Sequence, residues 1–312
     1  MPPRPVEPAE SLLTKRLGSY THEYTERDLS LYALGLGCGV DDLKYVYECH
    51  ADFAALPTFG VIPAHPVAMF APLEHYIPNY DRGKALHGEQ YIELLEGLPT
   101  AATVVTTAQV LDVQDKGKGA VVVLRTTTVD TQTGKQLALN EFTTFVLGSG
   151  RFEGVKQPLP RAAAAVAANA PPDQPPDVVR EVATHKDQAA LYRLSGDLNP
   201  LHIDPGVSSR VGYPQPILHG LATMGISVRQ LLAVYGGDQP DSIANIKVRF
   251  AKHVFPGETL LVELWAVSPS KVVFQTRVKE RDAVAISNAA VEFRPGRMRQ
   301  PAHEAAGSLS KL

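Results

Sequence analysis

At 312 residues the chain is about twice the ~150 expected of one domain, so two domains, or one doubled unit, are expected. Thirty Lys and Arg against 33 Asp and Glu leave a formal charge of −3, which argues against nucleic acid or an anionic membrane as the main partner. No run of ~18 apolar residues occurs, residues 1–15 have no basic or apolar leader pattern, and Cys38 and Cys49 are the only cysteines; no membrane span, secretory signal, disulfide framework or Cys-rich zinc site is expected.

Along the first half, Leu31-Tyr32-Ala33-Leu34 stands 160 positions before Leu191-Tyr192-Arg193-Leu194 (191 − 31). Leu86-His87-Gly88 echoes Leu218-His219-Gly220, and Leu98-Pro99 echoes Phe255-Pro256, in the same order, so an internal repeat is expected. At the 160-residue offset Gly37 takes the place of Asp197 and Asp42 that of His202. The echo also puts 52 positions between Leu34 and Leu86 (86 − 34) against 24 between Leu194 and Leu218 (218 − 194). The surplus, with Phe53, Phe59, Met69 and Phe70, reads as an apolar insert. Period-two alternation over residues 103–113, 120–129 and 137–146 then predicts strands.

Residues 156–177 are rich in Ala and Pro and read as a linker. Residues 187–194 read as a short helix. A longer helix follows Pro216, with Leu221, Met224, Val228, Leu231, Leu232 and Tyr235 on one face and Gly236-Gly237 as its stop. Alternation returns at Ile246, Val248 and Phe250, at Val262 and Leu264, and from Val272 to Val278. Antiparallel strands wrapped on a central helix, twice over, give an α+β class.

Between the two helices of the second half lies the segment richest in functional groups, Ser195-Gly196-Asp197-Leu198-Asn199-Pro200-Leu201-His202. A turned chain would bring the Asp197 carboxylate to the His202 imidazole, and such a pair can hold one water and move its protons. Gly220 opens the long helix, where the first N–H groups have no internal acceptor, and no side chain blocks a carbonyl from approaching it. Plainer roles stay open for both: a turn cap with a packed histidine, and a close helix contact. Gly35-Leu36-Gly37-Cys38-Gly39 lacks the spacing of a dinucleotide loop, no His pair sits at helical spacing beside a Glu, and Gly148-Ser149-Gly150 is not a nucleophile elbow.

Asp197-Leu198-Asn199-Pro200-Leu201-His202 followed by Pro216-Ile217-Leu218-His219-Gly220 resembles the hydratase 2 motif of (R)-specific 2-enoyl-CoA hydratases of the MaoC-like, hot-dog type. Leu56-Pro57-Thr58-Phe59, Leu86-His87-Gly88-Glu89-Gln90-Tyr91, Asp115-Lys116-Gly117 and Arg249-Phe250-Ala251-Lys252 extend the likeness to the hydratase domain of peroxisomal multifunctional enzymes type 2 and their stand-alone plant counterparts. The resemblance implies a double hot-dog fold. Its parts would be an N-terminal, acyl-accommodating unit at residues 1–155, the linker 156–177, a catalytic unit at 178–297 and a tail at 298–312. It implies Asp197 and His202 as catalytic dyad, Gly220 as oxyanion donor, Asn199 as the group orienting the dyad, and His87, Gly88, Lys116 and Phe250 as substrate contacts. A packed histidine, a solvated turn lysine and a core phenylalanine remain the plainer roles for His87, Lys116 and Phe250.

The reaction it implies, reversible hydration of a trans-2-enoyl-CoA to a (3R)-3-hydroxyacyl-CoA, uses no cofactor, coenzyme A being part of the substrate. A thioesterase and a non-catalytic acyl-CoA carrier are the alternatives. The terminal Ser310-Lys311-Leu312 matches the tripeptide read by the peroxisomal import receptor, so a peroxisomal location is expected. A doubled chain suffices as a monomer, and the resemblance leaves a homodimer open.

Overall fold

A computed structural model describes residues 7–15, 17–69 and 71–300; Phe70 and Ser310-Lys311-Leu312 lie outside them. The first unit runs through strand β1 (Ser19–Tyr24), helices α1 (Glu26–Gly35), α2 (Leu43–Val46) and α3 (His65–Met69), and strands β2 (Ala85–Leu94), β3 (Ala102–Asp115), β4 (Gly119–Asp130) and β5 (Gln136–Leu147). A connection carrying α4 (Ala163–Val166) leads to the second unit: β6 (Val178–Ala183), α5 (Gln188–Tyr192), α6 (Pro205–Arg210), α7 (Gly220–Tyr235), β7 (Ile243–Phe250), β8 (Thr259–Ser268), β9 (Lys271–Val278) and β10 (Ala283–Phe293).

Among the described residues ten strands join one antiparallel sheet in the order β1-β3-β4-β5-β2-β7-β10-β9-β8-β6. From either edge the succession of strands is the same, so the duplication is visible as symmetry about the β2–β7 seam. There Glu89 to Glu93 pair with Arg249 to Asn245, and Arg249 Nε donates to Glu89 Oε1 at 2.7 Å.

Under the second half of the sheet lies α7, whose predicted face of Leu221, Met224, Val228, Leu231, Leu232 and Tyr235 is fully buried. Ala222, Ile226 and Ser227 are buried as well, so the helix is covered on most sides, with Ala233 exposed and Arg229, Gln230 and Val234 half-buried. Gly236 ends it as expected. In the first unit the corresponding chain makes a 3-10 turn at Pro57–Val61, then α3, then a second 3-10 turn at Leu73–His75. Pro57, Pro63, Pro66 and Pro72 explain the interruption, since a proline inside a helix removes a donor and clashes with the preceding turn.

Two expectations need correction. Leu86-His87-Gly88 does not open a helix as Leu218-His219-Gly220 does; it lies in β2, the counterpart of β7. The surplus of residues inferred from that echo therefore disappears. From Gly35 to Ala85 the chain advances 50 positions (85 − 35), and from Ser195 to Ile243 it advances 48 (243 − 195). The first unit has a broken helix, not an insert. The starts of β1 and β6 differ by 159 (178 − 19), which sets Gly37, at φ 86°, against Gly196, at φ 128°, and Cys38 rather than Gly37 against Asp197. Asp42 is an ion-pair partner of Arg229 on α7.

The linker is held to the sheet. Leu159 N–H donates to Leu111 C=O at 2.9 Å, Lys247 Nζ to Ala167 C=O at 2.8 Å and Trp265 Nε1 to Gln174 C=O at 3.0 Å. At the other end Arg299 N–H donates to Tyr235 C=O at 2.7 Å, so the chain remains docked beyond residue 297.

Candidate active site

The Ser195–Asp204 loop owes its shape to short-range polar bonds. Asn199 Oδ1 accepts from Leu201 N–H at 3.1 Å and caps the 3-10 turn Pro200–His202. Asp204 Oδ1 accepts from Gly206 N–H at 2.7 Å and starts α6. Between these caps His202 turns inward and is buried. Asp197 Oδ1 accepts from the backbone N–H of Asn199 at 3.2 Å. Asn199 thus meets Asp197 through its main chain, while its side chain shapes the turn that carries His202.

His202 Nδ1 lies 2.8 Å from Ile217 C=O. A carbonyl only accepts, so the proton sits on Nδ1 and the Nε2 lone pair is free. His219 Nε2 lies 3.1 Å from Asp197 C=O and by the same reasoning is the protonated nitrogen; its Nδ1 is buried without a partner. The two imidazoles stack with centroids 3.7 Å apart and planes 26° apart. One donor atom each of Asp197, His202 and His219 lies within 4.8 Å of the others.

The electrostatics divide the charges. Burial lowers His202, and burial with the adjacent His202 drives His219 down to about 3. Burial alone would raise Asp197, but His65, His219, His202 and the Asn199 N–H hold its carboxyl below the usual range. An ionised carboxylate thus stands beside neutral imidazoles at neutral pH.

Gly220 is the first residue of α7, so its N–H has no intrahelical acceptor and sits at the positive end of sixteen aligned peptides. A Cβ at this position would approach the Phe250 ring at 3.1 Å. Phe250, at the end of β7, also meets the His87 ring, edge to face, at 4.9 Å. Burial pushes His87 down to about 4, and its Nε2 is buried without a partner. Gly88 occupies a register break between His87 and Glu89, where a Cβ would meet Thr143 C=O at 3.3 Å. Contacts through His219 and Phe250 thus join Asp197, Asn199, His202, Gly220 and His87, with Gly88 next in sequence, into one cluster where the two units meet, the candidate crevice of the site. Lys116 stands apart, exposed on the β3–β4 turn.

His65, which the sequence did not single out, opens α3 and brings its Nε2 to 3.6 Å from Asp197 Oδ2. Phe59 is only 2% exposed and packs on the Tyr24 and Tyr32 rings at 4.9 and 5.4 Å, as part of the core; Phe53 and Met69 are half-buried.

Residues 22–148 match the family described as MFE-2 hydratase 2 N-terminal domain, and residues 167–289 the family described as MaoC like domain. The chain is 46% identical over 286 residues to peroxisomal multifunctional enzyme type 2 of Mus musculus, covering 90% of this chain and 38% of that protein. To the probable enoyl-CoA hydratase 2 of Dictyostelium discoideum it is 37% identical over 288 residues, covering 92% and 96%. The crystal structure of a MaoC-like dehydratase from Phytophthora capsici superposes with a TM-score of 0.79 at 33% identity, covering 93% and 98%. The chain thus spans well under half of the multifunctional relative and nearly all of the two shorter ones.

Proposed function

Because the chain belongs to the MaoC-like hydratase 2 family, with its double hot-dog fold, we propose that it hydrates trans-2-enoyl-CoA reversibly to (3R)-3-hydroxyacyl-CoA, as a hydro-lyase of peroxisomal fatty-acid β-oxidation. The peroxisome is named for relatives including the mouse protein. The observation that carries the reading is the placement of Asp197 and His202 within 4.8 Å, without a direct bond, beside the free N–H of Gly220.

A thioester carbonyl accepting from Gly220 N–H would be polarised by the α7 terminus, which draws electrons from C3. A water between the Asp197 carboxylate and the His202 Nε2 lone pair donates to both and attacks C3 as one of them takes its proton. The pair returns a proton to C2 as the enolate collapses, so water is the only co-substrate. The (3R) outcome follows the family. His87, Gly88 and Phe250 form the wall along which the acyl thioester lies, and Lys116 meets a coenzyme A phosphate from the turn. Residues 178–297 supply the chemistry, residues 1–155 accommodate the acyl chain, and 156–177 connect them.

Absorbance of the conjugated enoyl thioester, followed beside a thiol assay, tests the proposal. Loss of absorbance without free thiol supports hydration. Thiol release indicates a thioesterase, and no change indicates a carrier.

A further inference from the structure

We propose that His65 is a positioning residue of the catalytic carboxylate, supplied by the N-terminal unit: its Nε2–H holds Asp197 Oδ2 at the crevice. This rests on the hydratase reading above. Asp197 Oδ1 is already engaged by Asn199 N–H, and the second oxygen faces His65 Nε2 at 3.6 Å. A lone pair on that nitrogen would repel the carboxylate, so the tautomer facing Asp197 carries its proton on Nε2. The spacing is slightly long for a hydrogen bond, as unliganded catalytic contacts commonly are, and closes with a shift of a few tenths of an ångström. Both side chains are largely covered, at 12% and 20% exposure, which shields the contact from water.

His65 belongs to the broken helix of the first unit. Following Pro63 and Ala64, it is the first residue of α3, and its side chain meets Asp197 of the second unit. A continuous helix there would carry side chains around its axis instead of ending one at the crevice. The first unit has no acid–base pair of its own at the corresponding positions, yet by this arrangement it still acts on the reaction through Asp197.

The groups facing this contact are His87 from β2, Arg82 from the turn before β2, His202 and Asp197 from the Ser195–Asp204 loop, and His219 at the head of α7. Burial lowers His65, so it is neutral near pH 7 and acts as a dipole donating to an anion. Removing the donor weakens the carboxylate's support and raises its pKa. The acid limb of kcat/KM then moves to higher pH.

The test compares His65→Leu and His65→Gln in the full chain with a four-carbon trans-2-enoyl-CoA. Expected are a roughly tenfold lower kcat for His65→Leu, the scale of one hydrogen bond to a charged group, KM within about twofold, an upward shift of the acid limb, and substantial rescue by Gln, which restores an N–H donor. Unchanged kcat and acid limb in His65→Leu overturn the inference. So does an equal loss in both variants that follows a lowered Tm. Should the wild type not hydrate the substrate, the functional reading fails separately. Imidazole titration by NMR then decides the contact: the His65 pKa falls in Asp197→Asn if the pair exists and stays fixed if it does not.

Discussion

Where the second half lays a sixteen-residue helix under its strands, the first lays a 3-10 turn, a five-residue helix and another 3-10 turn, divided by prolines, over a chain of nearly equal length. The continuous helix offers an aligned terminus, and Gly220 sits on it. The broken one gives up that dipole but places a side chain from its own interior, His65, at the crevice. Two copies sharing one sheet can therefore take separate roles, a helix terminus serving the reacting carbonyl while kinked chain serves the surroundings. Proline substitution, rather than added chain, separates them.

The largest effect expected from this comparison is at the pair found in one half only. Asp197→Asn and His202→Ala should each lower kcat roughly 10²- to 10⁴-fold with little change in Tm. Because both act on one water, the double variant should lose far less than the product. Asp42→Asn, in the first half, should instead lower Tm through Arg229 and leave kcat within a few-fold. Near-normal activity in either first-named variant breaks the comparison.

Next in size is the packing of the broken helix. Phe59→Ala should cost roughly 3–5 kcal/mol of stability and depress four- and ten-carbon substrates together, as expected for a buried ring. Met69→Ala, at a half-buried site, should selectively change kcat/KM for the ten-carbon substrate with a nearly unchanged melt. If both behave alike, Met69 is core and the first unit is not sorting chain length there.

Gly220→Ala keeps the N–H but drives a methyl toward Phe250, so kcat/KM should fall roughly 10- to 100-fold, short of deleting an oxyanion donor. Adding Phe250→Leu should recover part of it. A smaller effect is on stability against pH. The folded-state pKa of His87, about 4, lies below its ordinary value of 6.5, so folding favours the neutral ring. That contribution is complete above pH 6.5 and is lost as pH falls toward 4. Tm should decline over this window, and less steeply in His87→Gln.

The sequence shows the strands with one buried face, the α7 stripe and the Asp197–His202 loop, because each is written in local periodicity or in a short run of polar residues. β1 and β6 are harder: as sheet edges with mostly exposed side chains they lack alternation. β10, whose pairings with β7 and β9 are broken by register shifts, is similarly obscured. Leu86-His87-Gly88 misled because a tripeptide carries no record of whether a strand or a helix follows. His65 had no local signal at all. Its partner lies 132 positions away (197 − 65), and the two segments meet only through the tertiary docking of the units, by the pairing of β2 with β7 and by contacts such as Gln188 Nε2 to Gly35 C=O.

That seam also decides how the site behaves on dilution. A crevice whose walls come from two polypeptides would come apart as concentration falls, and specific activity would fall with it. Here the Glu89–Arg249 contact and the strand pairing around it join parts of one molecule, so the local concentration of one wall about the other is fixed by covalent connection. Cleaving the linker would restore the dissociation constant that fusion removed. It would also expose β2 and β7 as two unpaired edges, each open to pairing with the wrong neighbour.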